Sequence, residues 1–227
     1  NWVVDPARAG WLTLDLNAHD LPIDEPAAFY AAQAAGALKD YPSIGNDDRD
    51  TSYFLRMYLS CYRGAEYLAS RPDWDGQTLV VTGGSQGGLQ SFVAAALHPK
   101  ITAVMACVPA GCDLNGPEAG RMPGWPMWHY NTRGKDVVKV RETARYYDVV
   151  NFAPRIKCPV LVGAGLIDTT CPPPGIFAAC NRLSGPSEIV VLPLAEHGEK
   201  NGSHRRYYER MEAWKQAVLA GKPVPVK

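Results

Sequence analysis

Short apolar runs alternate with longer segments of helix-compatible composition along most of the chain. Five runs predict buried strands, at residues 10–16, 78–82, 101–108, 159–163 and 188–192. The segments around them predict five helices, at residues 26–37, 51–70, 86–97, 175–182 and 204–220. Regular alternation of strand and helix is typical of a mostly parallel sheet with helices on both faces. The sequence therefore predicts an α/β fold that binds its ligands at the carboxyl ends of the strands.

The stretch from residue 109 to residue 147 departs from this alternation. It is long, rich in Gly and Pro, and carries the aromatic residues Trp125, Trp128 and Tyr130. Long loops in compact domains are often functional, and an aromatic face can stack on a sugar. We interpret the stretch as a cap-like excursion with Trp125, Trp128 and Tyr130 as substrate-binding candidates. The alternative is a surface excursion that packs only on itself.

Composition fits one catalytic domain over residues 1–227. The chain is 46% hydrophobic and 20% charged, which is enough apolar material for one sizeable core. Its 23 basic and 23 acidic residues balance, so it lacks the basic surface that binds nucleic acid or an anionic membrane. No apolar run reaches the roughly 18 residues of a membrane span, and no signal peptide is evident. The first residue is Asn1 rather than Met, which suggests a processed or truncated product.

The most informative motif is G-G-S-Q-G at residues 83–87, between the apolar run 79–82 and a predicted helix. A strand that turns sharply into a helix can project a serine above the sheet only if its neighbours are nearly free of side chains. Gly83, Gly84, Gly87 and Gly88 meet that demand, so Ser85 is the candidate nucleophile. The same turn places the backbone N–H of Gln86 at a helix N-terminus, where it can stabilise an oxyanion.

A serine nucleophile needs a base and an orienting acid. Asp168 follows the predicted strand 159–163, and His197 follows the predicted strand 188–192. The order Ser, Asp, His is that of α/β-hydrolases. Taken singly, Asp168 could be a turn or cap residue and His197 a surface histidine. Three candidates in order, each after a strand, predict a catalytic triad of Ser85, Asp168 and His197.

The six cysteines show no spacing typical of a zinc site, so we expect no metal and no cofactor. Cys61 and Cys107 lie in apolar patterns typical of core residues. A disulfide among Cys112, Cys158, Cys171 and Cys180 is left open. Cys171 comes three residues after Asp168 and is expected near the site, although it is a poor rival nucleophile without its own base.

Several blocks resemble the acetyl xylan esterase and cephalosporin C deacetylase family. They are V-V-T-G-G-S-Q-G-G at 80–88, Y-D-V-V-N-F-A-P-R-I-K at 147–157, G-L-I-D at 165–168, C-P-P at 171–173 and F-A-A at 177–179. The resemblance covers roughly residues 50–215. It implies an α/β-hydrolase fold and removal of acetyl groups from carbohydrate or small esters, with Ser85 as nucleophile, Asp168 as acid and His197 as base. It also implies Gln86 N–H as one oxyanion donor and favours a secreted or periplasmic location.

The resemblance breaks down near residues 14–22, where the family's Arg-Gly-Gln turn is replaced by a turn at residues 17–20. If residues 11–16 are the family's fourth strand, the first three strands are lacking, together with the loop that carries the second oxyanion donor. We therefore expect a gap in the sheet between residues 11–16 and 78–82, filled by an upstream fragment or a second chain. A homo-oligomer is left open.

Two other functions stay open at this stage. One is a serine peptidase or amide hydrolase of the same fold. The other is a carbohydrate-binding module that has kept the fold without the chemistry. The leading interpretation is a serine carboxylesterase that acts on acetylated carbohydrates, with no nucleic acid or membrane partner.

Overall fold

The computed structural model describes residues 3–227, in which four strands and eight α-helices alternate. The strands are β1 (Val80–Gly84), β2 (Ala103–Cys107), β3 (Val160–Gly165) and β4 (Ser187–Leu192). The helices are α1 (Val4–Arg8), α2 (Ala27–Ala35), α3 (Tyr53–Ser70), α4 (Gln86–Leu97), α5 (Val137–Tyr147), α6 (Val149–Phe152), α7 (Pro173–Cys180) and α8 (Arg205–Leu219). Short 3₁₀ turns occupy Tyr41–Ser43, Gly116–Ala119 and Ala153–Arg155. None of the described helices is long and apolar enough to cross a membrane.

The four strands form one parallel sheet in the order β1-β2-β3-β4. Every residue of β2 and β3 is buried, as expected for central strands covered on both faces, whereas β1 is only partly covered. Four of the five predicted strands and all five predicted helices are confirmed to within two residues at most of their ends. The predicted α/β class with a parallel sheet is therefore confirmed.

Helices cover both faces of the sheet and create two apolar clusters. On one face, α3, α4 and α7 pack with residues of the 109–147 stretch around Phe54, Phe92 and Ile176. On the other face, α8 places Tyr207 and Trp214 against the sheet. This arrangement leaves the carboxyl ends of the strands as the edge from which functional loops project.

The strand predicted at residues 10–16 is wrong. These residues form neither strand nor helix, and among the described residues no backbone hydrogen bond joins them to β1. Leu16 instead packs on α3 at Gly64, where an added Cβ would come within 2.8 Å of its methyl carbons. The apolar alternation of this segment does not lead to strand pairing: Leu16 contacts a helix, and both Leu14 and Leu16 stay about 40% exposed.

A cavity of about 450 Å³ lies between residues 11–16 and β1. Its lining includes Leu14 on one side, Val81 and Thr82 of β1 on another, and Met211 of α8. The outer edge of β1 thus has no neighbouring strand among the described residues. The gap expected beside β1 is therefore present as this cavity, but residues 11–16 on its other side form no regular secondary structure.

The stretch 109–147 is more ordered and more deeply buried than the predicted excursion. It contains the 3₁₀ turn Gly116–Ala119 and helix α5, which the sequence analysis did not predict. Leu114 and Trp128 are fully buried in the cluster that α3 and α4 also form. Much of the stretch therefore belongs to the core layer above the sheet.

Candidate active site

Ser85 occupies the single position between the end of β1 and the start of α4. Its backbone has φ 53° and ψ −118°, a conformation that costs a non-glycine residue energy and is typical of a nucleophile elbow. A Cβ added at Gly83 would lie 2.4 Å from the backbone of Gly87, so this strand and helix meet too closely for a side chain. A Cβ at Gly88 would lie 3.0 Å from Pro109, whereas one at Gly87 would meet nothing within 4 Å. Among the four glycines that satisfy the demand for small neighbours, the structure thus shows a steric need at Gly83 and a weaker one at Gly88.

Ser85, His197 and Asp168 form a continuous hydrogen-bonded chain. The Ser85 Oγ lies 2.8 Å from His197 Nε2, and His197 Nδ1 lies 2.9 Å from Asp168 Oδ2. The Asp168 side chain is fully buried, whereas the His197 side chain is 28% exposed. The three residues follow β1, β3 and β4, so parallel strands bring together side chains that are far apart in sequence. This geometry matches a nucleophile, a base and an acid that orients the base.

The loop after β3 fixes the Asp168 carboxylate. Its Oδ1 accepts hydrogen bonds of 2.8 Å from the backbone N–H groups of Thr170 and Cys171. The other oxygen is left for His197, so the carboxylate cannot rotate without breaking two bonds. A charge buried in this way keeps the imidazole oriented with Nδ1 toward Asp168.

The Gln86 backbone N–H is available as an oxyanion donor. It opens helix α4, and no hydrogen bond of residues 3–227 uses it. The turn at residues 17–20 stands in place of the Arg-Gly-Gln turn that the resemblance implies. His19 of that turn points its ring at Tyr41 and Tyr53, with His19 Nδ1 2.9 Å from the Tyr53 hydroxyl. No second donor is assigned from the described residues.

Cys171 lies beside the nucleophile, as expected. Its thiol lies close to the Ser85 hydroxyl, and the residue is 1% exposed. Burial, together with the nearby Asp168 charge, raises the pKa of the Cys171 thiol well above its usual range. Cys171 is therefore a neutral thiol and a poor rival nucleophile. All six cysteines are free, so the disulfide that the sequence left open is not formed.

Asp168, Cys171 and His197 are also the one described group whose spacing could hold a metal ion, with ligand atoms within 4.8 Å of one another. Asp168 and His197 already bind each other through the 2.9 Å hydrogen bond. A metal would have to displace that bond, so the donor set fits a triad better than a metal centre.

The three aromatic candidates lie in different environments. Trp128 is fully buried, and its indole N–H donates to the Pro42 carbonyl at 2.7 Å. Its ring cannot stack on a substrate, and the expectation for Trp128 is corrected to a packing role. Trp125 is partly buried, and its backbone N–H donates to the carbonyl of Thr170, in the loop that carries Asp168, at 2.8 Å. Tyr130 is 65% exposed.

Tyr41 is a site residue that sequence reasoning missed. Its hydroxyl donates to Oε1 of Gln86, and its ring centroid lies 6.2 Å from that of Trp125. It belongs to the 3₁₀ turn Tyr41–Ser43, far from any recognisable motif. Only the packing of this turn beside the elbow identifies it, and nothing in its sequence context could have done so.

The acetyl xylan esterase (AXE1) family model matches residues 33–217. The acetyl esterase Axe7A of Xylanibacter ruminicola is 40% identical over 195 residues, which are 84% of this chain and 44% of that protein. Among solved structures, the acetyl xylan esterase from Paenibacillus sp. R4 is 28% identical, with a TM-score of 0.66 over 76% of this chain and 57% of that one. Acetyl xylan esterase 1 from Thermoanaerobacterium sp. JW/SL YS485 is 29% identical, with a TM-score of 0.62 over 72% of this chain and 54% of that one.

The two solved structures share the fold of this chain over about three quarters of its length. The chain spans about half the length of the relatives it matches. The family model covers most of the chain, including β1 to β4 and all three triad positions. The α/β-hydrolase fold expected from the sequence is thus confirmed, and the chain belongs to the acetyl xylan esterase family.

Proposed function

We propose that this chain carries the catalytic machinery of a serine carboxylesterase that removes acetyl groups from carbohydrate esters. The observation that carries the proposal is the Ser85–His197–Asp168 chain, with its two hydrogen bonds of 2.8 and 2.9 Å. Family membership supports the substrate class, because the matched relatives are named as acetyl and acetyl xylan esterases. Trp125 and Tyr130 remain candidates for contact with the sugar.

In the first half of the reaction, Ser85 Oγ attacks the acetyl carbonyl carbon while His197 Nε2 takes the hydroxyl proton. Asp168 keeps the imidazole oriented and stabilises its positive charge. The tetrahedral intermediate places its negative oxygen at the Gln86 N–H. As the intermediate collapses, His197 gives the proton to the departing sugar oxygen. The products are the free sugar hydroxyl and an acetyl ester on Ser85.

The second half repeats these steps with water as the nucleophile. His197 removes a proton from water, the resulting hydroxide attacks the acetyl-Ser85 carbonyl, and the same N–H stabilises the second intermediate. His197 then returns the proton to Ser85 Oγ as acetic acid leaves, and the acid ionises to acetate in water. No cofactor is required for either half.

The test compares substrates and labels the nucleophile. We expect turnover of acetylated xylan fragments and of p-nitrophenyl acetate, no turnover of a peptide anilide, and a fluorophosphonate adduct on Ser85 by mass spectrometry. Cleavage of the anilide with no ester turnover would favour a peptidase. A fluorophosphonate adduct at another residue, or sugar binding without turnover, would contradict the esterase proposal.

We further propose that an upstream fragment or a second chain pairs with the outer edge of β1. Two features support this: the edge has no ladder partner among the described residues, and a cavity of about 450 Å³ lies beside it. Unpaired N–H and C=O groups beside an apolar cavity are costly unless another strand covers them. Such a strand could also bring the second oxyanion donor.

The pairing proposal is tested by intact mass and sedimentation of the purified protein. We expect either a second polypeptide that co-purifies or a dimer. A monomer of 24.7 kDa that hydrolyses acetyl esters at ordinary rates would contradict it.

A further inference from the structure

The Gln86 side chain is held at both of its polar ends. Its Oε1 accepts a hydrogen bond from the Tyr41 hydroxyl, and its Nε2 donates to the sulfur of Met57 at 3.2 Å. Met57 is a buried residue of α3, so one end of the amide is anchored to a core helix. Gln86 is also the residue whose backbone N–H faces the reaction in the proposed mechanism. Its side chain therefore links that N–H to two separate elements.

Tyr41 is itself held in place by the 109–147 stretch. Trp128 donates to the Pro42 carbonyl at 2.7 Å, and Lys135 Nζ donates to the Ser43 carbonyl at 2.8 Å. The Tyr41 ring packs edge-on against His19, with ring centroids 4.5 Å apart. Burial raises the pKa of Tyr41 to about 12, so its hydroxyl stays protonated and can donate throughout the neutral range. The 3₁₀ turn Tyr41–Ser43 is thus held by contacts at each of its residues, and the Tyr41 hydroxyl donates from it to Gln86.

The elbow needs such a support. Ser85 has a φ of 53°, and a residue in this region stays there only where its surroundings over-determine it. If the side chain of Gln86 were free, the peptide between Ser85 and Gln86 could relax and turn its N–H away from the oxyanion. A donor helps only when it is aimed at the position of the developing charge.

We propose that Tyr41 is a positioning residue for the acetyl-transfer reaction, which it serves by fixing Gln86 and thereby the direction of the Gln86 N–H. This inference rests on the proposed esterase function. It also gives Trp128 a role that its burial allows, because Trp128 supports Pro42, which is next to Tyr41 in the chain.

The test is Tyr41→Phe, which removes the hydroxyl and keeps the ring. Complete loss of an oxyanion donor costs about 10²- to 10³-fold in kcat, so we expect loosening of one to cost roughly tenfold, with KM changed less than twofold. Tyr53→Phe is the matched control, since it loses a hydroxyl contact to His19 in the same aromatic group and does not contact Gln86. We expect its kcat to be unchanged.

A double-mutant cycle shows whether Tyr41 acts through Gln86. Gln86→Ala keeps the backbone N–H and removes the side chain, so Tyr41→Phe should cost nothing further in that background. The rate at which fluorophosphonate labels Ser85 is the second readout, because the phosphonyl oxygen uses the same donor. It should fall by a similar factor in Tyr41→Phe even if ester turnover is slow.

Three results would overturn the inference: additive losses in the cycle, a change in KM alone, or an equal loss in Tyr53→Phe. Normal labelling of Ser85 that does not respond to Tyr41→Phe would also overturn it while leaving the esterase proposal intact. Absence of Ser85 labelling in the unmodified protein would reject both proposals.

Discussion

The carboxyl-terminal rim of the sheet and the outer edge of β1 are adjacent but differ in how completely their polar groups are paired. At the rim, Asp168 has three hydrogen-bond partners and His197 bridges to Ser85. At the outer edge, β1 faces a cavity of about 450 Å³. Ser85, Asp168 and His197, the proposed nucleophile, acid and base, follow β1, β3 and β4 of one continuous ladder. The difference teaches that the hydrogen-bonded chain of these three residues is complete within the four-stranded sheet, whereas the outer edge of β1 lacks a ladder partner among the described residues.

The largest effect is expected at the rim, from Asp168→Asn. The amide cannot hold the catalytic tautomer of His197, and a change of this kind lowers kcat by about 10⁴-fold in serine hydrolases with the same triad. Asp75→Asn is the control, because Asp75 Oδ1 likewise accepts two backbone N–H groups, from Gln77 and Thr78, without touching a histidine. Steady-state hydrolysis of p-nitrophenyl acetate measures both. Equal rates in Asp168→Asn and the unmodified protein would remove Asp168 from the triad.

The next largest effect is expected on stability, from substitution of Trp128 in the layer that α3 and α4 form over the sheet. Trp128→Ala should lower the free energy of unfolding by about 3–5 kcal/mol, because it empties a fully buried site and leaves the Pro42 carbonyl unpaired. Tyr130→Ala removes an exposed ring and should change stability by less than about 0.5 kcal/mol. Urea unfolding compares the two. If Trp128→Ala were as stable as Tyr130→Ala, the packing role of Trp128 would be wrong.

Asp148 is a buried carboxyl group whose titration should make the free energy of unfolding depend on pH. Its carboxylate accepts hydrogen bonds from the N–H groups of Asp113, Leu114 and Val150, yet burial raises its pKa from 3.8 to about 6. A pKa raised on folding stabilises the folded state fully below about pH 4, and this contribution is lost as the pH rises through 6. The loss amounts to about 3 kcal/mol by the linkage relation.

We therefore expect the free energy of unfolding to fall between pH 4 and pH 7 by an amount that Asp148→Asn reduces. Asp136→Asn, at the exposed N-cap of α5, is the control and should keep the dependence of the unmodified protein. A pH slope that is identical in Asp148→Asn would show that this carboxyl does not titrate in the folded state within that range.

The smallest effects on stability are expected from substitutions at Gly83 and Gly87, which flank Ser85 at the carboxyl end of β1. Gly83→Ala forces a Cβ to within 2.4 Å of the Gly87 backbone, so we expect a loss of roughly 1–3 kcal/mol in stability. Gly87→Ala meets nothing within 4 Å and replaces a helical glycine, so it should stabilise the protein by about 0.5–1 kcal/mol. Thermal unfolding of the pair gives the sign of each change. Two losses of equal size would mean that the elbow needs both glycines.

The sequence predicted those strands and helices whose own residues show a clear apolar pattern. The runs that became β1 to β4 are apolar and bounded by turns, and the triad candidates follow three of them. Residues 10–16 have a similar alternation but form no strand, and Leu16 contacts α3, because a short apolar pattern does not say which element will cover it. Helix α5 was missed because the stretch 109–147 was interpreted as a whole from its Gly, Pro and aromatic residues. Residues 137–147 contain no Gly or Pro and follow the N-cap Asp136, so a local helix signal was present there.

The sequence did not predict how deeply individual side chains are buried or which side chains contact one another. Trp125 and Trp128 are three residues apart with similar neighbours, yet one is partly accessible and the other is fully buried. Tyr41 contacts Gln86, 45 residues further along the chain, because the 3₁₀ turn Tyr41–Ser43 packs beside the start of α4. Such contacts depend on the whole fold rather than on a local motif.

The distance of 112 residues between Ser85 and His197 also has a consequence for protein synthesis. At about 5–20 residues per second, a ribosome that has made the elbow needs on the order of ten seconds to add the histidine. During that interval the nascent chain carries a serine hydroxyl with no base to activate it. The hydrogen bond from His197 to Ser85 can therefore form only after β4 has been made and has joined the sheet, so the proposed activity would arise late in synthesis.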